Sequence, residues 1–195
     1  MTTAAERHLS RDELEAGLEE ILRSPRDEGV VELIVRRPDV SRREVLQVGD
    51  LSLTDGLVGD SWQHRSSSRT PNRSPHPEMQ LNLMNSRVIA LLAGTRDRWP
   101  LAGDQLFVDL DLSVEHQPPG TRLALGTAVI DVTAEPHTGC GKFVERFGLD
   151  AMRFVNSPAG RRLNLRGINA KVVQPGRVAV GDPIRRLPGG HVAAP

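Results

Sequence analysis

The chain has 195 residues, of which 38% are hydrophobic and 26% are charged, and its 25 basic and 25 acidic side chains cancel. This length favours one domain, and this composition is typical of a globular protein. The balanced charge and an aromatic content of 3% argue against a nucleic-acid-binding surface. No apolar run approaches the roughly 18–20 residues that span a bilayer. We therefore expect a cytoplasmic protein with no membrane association.

The first predicted element is an N-terminal helix. Ser10 and Glu13 have the spacing of a capping box, and apolar residues then recur at helical spacing as far as Leu22. We expect residues 1–28 to form a helical extension on the outside of the domain. At the other end, small residues with little apolar character predict a flexible tail over 188–195.

Short strand patterns separated by glycine and proline turns dominate the rest of the chain. Strands are predicted near 30–35, 44–48, 79–84, 106–110, 121–125, 127–133, 167–173, 177–180 and 184–187. Short helices are predicted over 86–93 and between 143 and 155. Segment 79–84 alternates with period two, as a strand with one buried face does. Many short strands with few helices predict an α+β, mainly β, fold built on a closed or nearly closed antiparallel barrel.

A long polar segment, residues 61–78, interrupts the strand patterns. It is rich in Ser, Arg, Pro and His and has no periodicity, and loops of this length are usually functional or disordered. Arg65 and Arg73, with neighbouring hydroxyls and backbone amides, are candidates for holding a phosphate or a pterin anion. The alternative interpretation is a solvated, mobile loop.

The single cysteine, Cys140, is the main candidate for chemistry. It lies in segment 135–143, E-P-H-T-G-C-G-K-F, where a predicted strand meets a predicted helix. A thiol at a helix N-terminus is favoured as thiolate, which binds a soft metal, accepts sulfur or attacks an electrophile. His137 and Lys142 are neighbours that would add positive charge. The alternatives are a buried cysteine that fills core space and, from the H-x-x-C spacing, a zinc site that needs further ligands.

Two polar residues, Arg166 and Asn169, precede a late apolar strand. The functional interpretation is an arginine that anchors an anion, because a guanidinium matches the geometry of phosphate and carboxylate. The alternative is a surface arginine at the start of a strand.

Four segments together resemble a known family. They are G-L-V-G-D at 56–60, the cysteine segment at 137–143, R-G-I-N-A-K-V at 166–172 and G-D at 181–182. In this order they resemble MOSC domains, relatives of the C-terminal domain of molybdenum cofactor sulfurases, over residues 29–187. The chain departs from the common family pattern in two places. Gly103-Asp104-Gln105 stands where many members have Gly-Glu-Asn, and Gly139 stands where many have proline before the cysteine.

The resemblance implies a MOSC-type β-barrel with a few short peripheral helices. It implies that Cys140 is the counterpart of the family's reactive cysteine, which carries a persulfide in sulfurases and ligates the molybdenum of a pyranopterin cofactor in amidoxime-reducing relatives. We accordingly expect Cys140 and His137 to be catalytic and Cys140 to be the metal ligand. The expected cofactor-binding residues are Arg166, Asn169, Lys142, Arg65 and Arg73.

Three functions are compatible with these residues. The first is a protein that binds the molybdenum cofactor and reduces N-hydroxylated small molecules with electrons from a partner reductase. The alternatives are a carrier of persulfide sulfur on Cys140, loaded by a cysteine desulfurase, and a non-catalytic cofactor-binding module. The pyridoxal phosphate of full-length sulfurases belongs to a different domain, so we do not expect that cofactor here.

Overall fold

The computed structural model describes residues 7–188. The strands are β1 (Glu28–Arg36), β2 (Glu44–Leu46), β3 (Val48–Ser52), β4 (Gly56–Leu57), β5 (Leu81–Asn85), β6 (Leu106–Asp109), β7 (Arg122–Leu125), β8 (Ala128–Val132), β9 (Ile168–Gln174), β10 (Gly176–Ala179) and β11 (Pro183–Arg186). The α-helices are α1 (Arg11–Ala16), α2 (Leu18–Leu22), α3 (Ser86–Ala93), α4 (Gly141–Phe147), α5 (Leu149–Asn156) and α6 (Pro158–Arg162). Three 3-10 helices span Ser61–His64, Pro77–Met79 and Arg96–Ala102. The predicted α+β, mainly β, class is confirmed, while the predicted tail lies almost wholly outside the described residues.

Seven strands close into a barrel in the order β1-β11-β7-β8-β9-β5-β6, and β6 pairs again with β1. The long strand β1 also pairs with β2 through its last residues. Every neighbouring pair in the barrel is antiparallel except β5 and β6, which run parallel. Parallel strands need a crossover connection, and α3 with the 3-10 helix Arg96–Ala102 supplies it. The closed barrel is thus mixed, whereas the sequence predicted an antiparallel one.

The buried apolar side chains form two clusters because several strands are apolar on both faces. The first, the interior cluster, fills the barrel and includes Leu83 from β5 and Leu106 and Val108 from β6. The second, the outer cluster, includes Met84 and Phe107 from the opposite faces of those strands, together with residues of α1 to α5. Successive side chains of a strand point to opposite faces, so the helices cover the outside of β5 and β6.

This arrangement corrects the prediction for segment 79–84. All five residues of β5 are buried, where the period-two pattern predicted one buried face. Helix α3 lies on the outer face of β5, and the polar Asn82 and Asn85 are buried within hydrogen-bond networks. A short strand of mixed polar and apolar residues can therefore be buried on both faces when its polar side chains form hydrogen bonds.

The N-terminal helix prediction is correct in its start and wrong in its continuity. The capping box of Ser10 and Glu13 is formed, but the chain makes two short helices that meet at Gly17. A Cβ on Gly17 would lie 2.5 Å from a methyl carbon of Leu91, so α3 approaches the helices closely at the break. Leu14 is fully buried in the outer cluster. Within residues 7–188, no helix combines the length and apolar character needed to cross a membrane.

Candidate functional site

Cys140 lies at the corner between β8 and α4. It is the N-cap residue of α4, and its backbone is extended, with φ −120° and ψ −178°. Its carbonyl accepts hydrogen bonds from the N–H groups of Phe143 (2.9 Å) and Val144 (3.1 Å). The thiol is free and exposed, so Cys140 is not a core side chain, and the predicted strand-to-helix corner is present.

Cys140 opens onto a pocket of about 550 Å³, a volume typical of small-molecule sites. The pocket collects six basic side chains from four separate parts of the chain: Arg37, Arg43, Arg65, Lys142, Arg146 and Arg166. Two of them are neutralised by buried aspartates. The other four, defined here as the free cations, have no carboxylate partner among residues 7–188: Arg43, Arg65, Lys142 and Arg146.

The electrostatics of the free cations favour an anion in the pocket. Burial, followed by the charges of Arg146 and Arg37, lowers the pKa of Arg43. Burial and the charge of Arg37 lower the pKa of Arg65 to about 10. Both side chains stay protonated at neutral pH, so their mutual repulsion persists in the folded protein. A bound anion would relieve that repulsion.

The first buried pair joins Arg37 to Asp60. The Arg37 Nε and Nη2 groups donate to the two carboxylate oxygens of Asp60 at 2.8 and 2.9 Å, and the Arg37 backbone N–H donates to the same carboxylate at 2.9 Å. Asp60 also accepts from the N–H of Trp62 at 3.0 Å. The remaining Arg37 Nη1 donates to Asn82 Oδ1 and to the carbonyl of Gly103. The aspartate that ends the G-L-V-G-D segment therefore satisfies a buried guanidinium.

The second buried pair joins Arg166 to Asp104. Arg166 Nη1 donates to both carboxylate oxygens of Asp104 at 3.0 and 2.8 Å, and Nη2 donates to the carbonyl of Ala102 at 2.9 Å. The guanidinium also lies 5.0 Å from the ring centre of Phe143. Burial raises the pKa of the Asp104 carboxyl, and the charges of Arg166 and Arg37 oppose this rise.

His137 lies beside this second pair. Its side chain is 12% exposed, and its Nδ1 is 3.5 Å from Asp104 Oδ1, too far for a hydrogen bond. Burial, then the charges of Arg166, Arg37 and Arg69, lowers the pKa of His137 well below its ordinary value. The imidazole is therefore neutral at pH 7 and does not add the positive charge expected near Cys140.

A chain of buried asparagines links the first pair to the cysteine turn. Asn82 and Asn169 are register partners on β5 and β9, and Asn82 Nδ2 donates to Asn169 Oδ1 at 2.6 Å. Asn169 Nδ2 donates to the carbonyl of Glu135 at 3.0 Å, while Asn82 Oδ1 accepts from Arg37. Hydrogen bonds thus run without a break from Asp60 to the turn before Cys140.

The structure gathers most of the predicted site residues in one place. Cys140, His137, Lys142, Arg65 and Arg166 all line the pocket. Asn169 is fully buried behind it and holds the backbone of the turn. Arg73 is exposed on the 61–78 loop and does not line the pocket. The loop itself is anchored to the cysteine turn, because Arg69 pairs with Glu135.

Sequence reasoning missed four charged residues of the site: Arg37, Arg43, Asp104 and Arg146. Arg37 follows the apolar run of β1, but nothing near it in sequence marks its partner Asp60. Asp104 stands in a segment that departs from the common MOSC pattern, and this departure was a usable signal.

No three His, Cys, Asp or Glu side chains converge as metal ligands in the part of the chain that the structure describes. A zinc site at His137 and Cys140 would need at least one more such ligand. A metal held at Cys140 would have to arrive with most of its ligands already attached.

No protein-family model matches the sequence, and no curated protein matches it. Solved structures do match the fold. YuaD from Bacillus subtilis has a TM-score of 0.60 and 20% identity, with 80% of this chain and 94% of that chain covered. A hypothetical protein of known crystal structure has a TM-score of 0.55 and 19% identity, covering 82% of this chain and 67% of that one. YiiM from Escherichia coli has a TM-score of 0.54 and 17% identity, covering 85% and 72%.

At these identities the similarity establishes the fold alone. The closed barrel with short outer helices is shared with YuaD, which this chain matches over nearly the whole length of YuaD. These likenesses support a MOSC-like fold for the chain.

Proposed function

We propose that this protein is a MOSC-type protein that holds a molybdenum pyranopterin cofactor through the Cys140 thiolate and reduces N-hydroxylated compounds. The observation that carries the proposal is an exposed thiol at the edge of a pocket with four free cations. A thiolate is the protein ligand that suits a soft metal, and a molybdenum pyranopterin brings its own sulfur ligands and an anionic phosphate. The pocket volume and its charge fit such a group.

Each part of the pocket has a distinct role in this proposal. Cys140 ligates the metal, and the free cations bind the anionic end of the cofactor through charge-assisted hydrogen bonds. When bound, the cofactor supplies the two-electron reduction. Cleaving an N–O bond to give an amine and water also consumes two protons. His137 lines the pocket as a neutral imidazole, and the Asp104 carboxyl, whose pKa is raised by burial, lies 3.5 Å from its Nδ1 without a hydrogen bond between them. These two groups are the candidates for relaying those protons to the substrate.

The test is the molybdenum content per chain after production in a host that makes the cofactor. We expect near-stoichiometric metal in the wild type and loss of metal in Cys140→Ser, because a hydroxyl of similar size is a poor ligand for a soft metal. Thr138→Ala is the matched control, since Thr138 is exposed two residues away and does not line the pocket. Equal metal in wild type and Cys140→Ser would refute the ligand role. Metal without reduction of a hydroxylamine by a chemical electron donor would indicate a non-catalytic cofactor-binding module.

A persulfide carrier is the second candidate, and the exposure of Cys140 favours it. A partner protein can transfer sulfur only to a thiol it can reach, and the free cations would stabilise the anionic persulfide. After incubation with a cysteine desulfurase and cysteine, intact-mass spectrometry should show one added sulfur atom that Cys140→Ala lacks. An unmodified chain under conditions that load a known carrier would count against this function.

A further inference from the structure

The turn that precedes Cys140 is unusually poor in backbone hydrogen bonds. Residues 134–139 make no backbone-to-backbone hydrogen bond within the described range of 7–188. Loops without such bonds are held by side chains or stay mobile. At the start of the turn, Asn169 binds the carbonyl of Glu135, and the Glu135 carboxylate meets Arg69 and His76. These contacts all lie five residues before the thiol.

At the end of the turn, one side chain binds both backbone groups of Gly139. The Gly139 N–H donates to Asn156 Oδ1 at 2.9 Å, and Asn156 Nδ2 donates to the Gly139 carbonyl at 3.1 Å. A carboxamide bound in this way makes the same two hydrogen bonds that a neighbouring β-strand would make to Gly139. It therefore fixes the orientation of the peptide groups before and after this residue. Gly139 is the residue immediately before Cys140, so this contact is the last constraint on the chain before the thiol.

The packing around Gly139 shows that the contact is tight. A Cβ on Gly139 would lie 3.3 Å from Met152 Cγ, 3.3 Å from Val155 Cγ2 and 3.4 Å from Asn156 Nδ2. All three neighbours belong to α5, whose last residue is Asn156. Val155 is buried in the outer cluster, so α5 is a fixed platform. The turn is therefore clamped to a helix that packs on the barrel.

We propose that Asn156 is a positioning residue for Cys140: its amide clamps Gly139 to α5 and so sets the direction of the thiol toward the cationic pocket. The expected effect of Asn156 on metal binding rests on the function proposed above. Its expected effect on the mobility of the Cys140 side chain does not depend on that function. Asn156 does not line the pocket, so it acts through the backbone of the turn and not through contact with a ligand.

The lone cysteine allows a direct test, because a nitroxide spin label reacts at Cys140 alone. In Asn156→Ala, both hydrogen bonds to Gly139 are lost, and we expect the label's rotational correlation time to shorten at least twofold. Alanine favours a helix more than asparagine does, so α5 should persist. Asn156→Asp is a milder second variant that keeps the acceptor for the Gly139 N–H and loses the donor to its carbonyl, and it should give an intermediate mobility.

The matched control is Asn164→Gly. Asn164 also holds a loop through its side-chain amide, which donates to the carbonyl of Leu112 at 2.8 Å, and its φ of 47° suits glycine. This variant should leave the label at Cys140 unchanged. Unchanged label mobility in both Asn156 variants, with their circular dichroism native, would overturn the proposal.

Metal content gives the second readout. If the wild type carries molybdenum, Asn156→Ala should retain less than half as much after gel filtration, while Asn164→Gly retains the wild-type amount. Equal retention in wild type and Asn156→Ala would overturn the role of the clamp in metal binding. A wild type without molybdenum would count against the proposed function, and the spin-label result would still decide whether Asn156 orders Cys140.

Discussion

The two buried arginine–aspartate pairs beside the pocket look alike and differ in how completely they are satisfied. Asp60 receives two guanidinium hydrogen bonds from Arg37 and two backbone N–H groups. Both oxygens of Asp104 accept from a single nitrogen of Arg166. Among residues 7–188, the Arg166 Nε has no hydrogen-bond partner, and His137 Nδ1 lies 3.5 Å from Asp104 without a hydrogen bond. Burial raises the pKa of the Asp104 carboxyl, which has the poorer set of hydrogen-bond partners.

This difference indicates that the Arg37–Asp60 pair supports the structure of the site, whereas the Arg166–Asp104 pair has the environment of a functional group. A buried ion pair contributes to stability only when further hydrogen bonds offset the cost of removing both charges from water. The Arg37 pair meets that condition and extends through Asn82 and Asn169 to the cysteine turn. The Arg166 pair meets it less completely, and groups with perturbed pKa values beside a pocket are typical of functional sites.

The largest expected effect on stability comes from replacing the aspartate of each pair. Asp60→Ala leaves Arg37 buried without a counterion, and we expect the free energy of unfolding to fall by about 3–5 kcal/mol. Asp104→Ala should cost less, because burial already disfavours its charged form. Urea denaturation of both variants measures the two losses, and equal losses would break the comparison. Asp50→Ala, in the exposed pair with Arg177, is the control and should cost less than about 1 kcal/mol.

The next effect is a pH dependence of stability that comes from His137. Its pKa in the folded protein lies well below its ordinary value, so below about pH 6.5 the unfolded chain binds a proton that the folded chain does not. Stability from this residue is present above that pH and is lost on acidification, with a slope of at most about 1.4 kcal/mol per pH unit.

His137→Gln should therefore lose less stability than the wild type between pH 7.5 and pH 5, as measured by urea unfolding at several pH values. Asp104 acts in the opposite direction, because its raised pKa favours the folded state at lower pH, but it does so in both proteins. Parallel curves for wild type and His137→Gln would show that the imidazole is not desolvated as described.

Replacing Lys142 should have the smallest effect on stability. Its effect on the binding of an anion should be larger. Lys142 is exposed and has no ion-pair partner in the described chain, so Lys142→Gln should change the free energy of unfolding by less than about 0.5 kcal/mol. Affinity for pyrophosphate, measured by calorimetry at low salt, should fall severalfold because one free cation is lost. Lys171→Gln is the control, since the only other lysine pairs with Glu78 outside the pocket. The same affinity loss in both variants would indicate non-specific charge attraction.

Local signals in the sequence predicted most of the secondary structure and the corner at Cys140. The capping box at Ser10 forms, and α3 covers the predicted residues 86–93 and is capped by Gly94, whose φ is 74°. Caps and turns depend on a few adjacent residues, so they can be predicted from the sequence alone.

Long-range partners could not be predicted in the same way. Arg37 meets Asp60 across 23 residues, Arg166 meets Asp104 across 62, and Asn82 meets Asn169 across 87. The sequence does not show which buried acceptor an arginine or asparagine will bind, since that depends on strand register. The sequence therefore indicated a polar residue near the site, and only the register of β5 against β9 showed that Asn169 supports the turn.

The sequence by itself determined a mainly β chain with one cysteine at a strand-to-helix corner, because those features follow from periodicity, turn residues and composition. Only the tertiary structure decided the parallel pairing of β5 and β6, the convergence of six basic side chains beside the thiol and the clamp of Asn156 on Gly139. The physical reason is that closing the barrel brings distant segments to one edge, where buried charges and backbone groups must each find a partner.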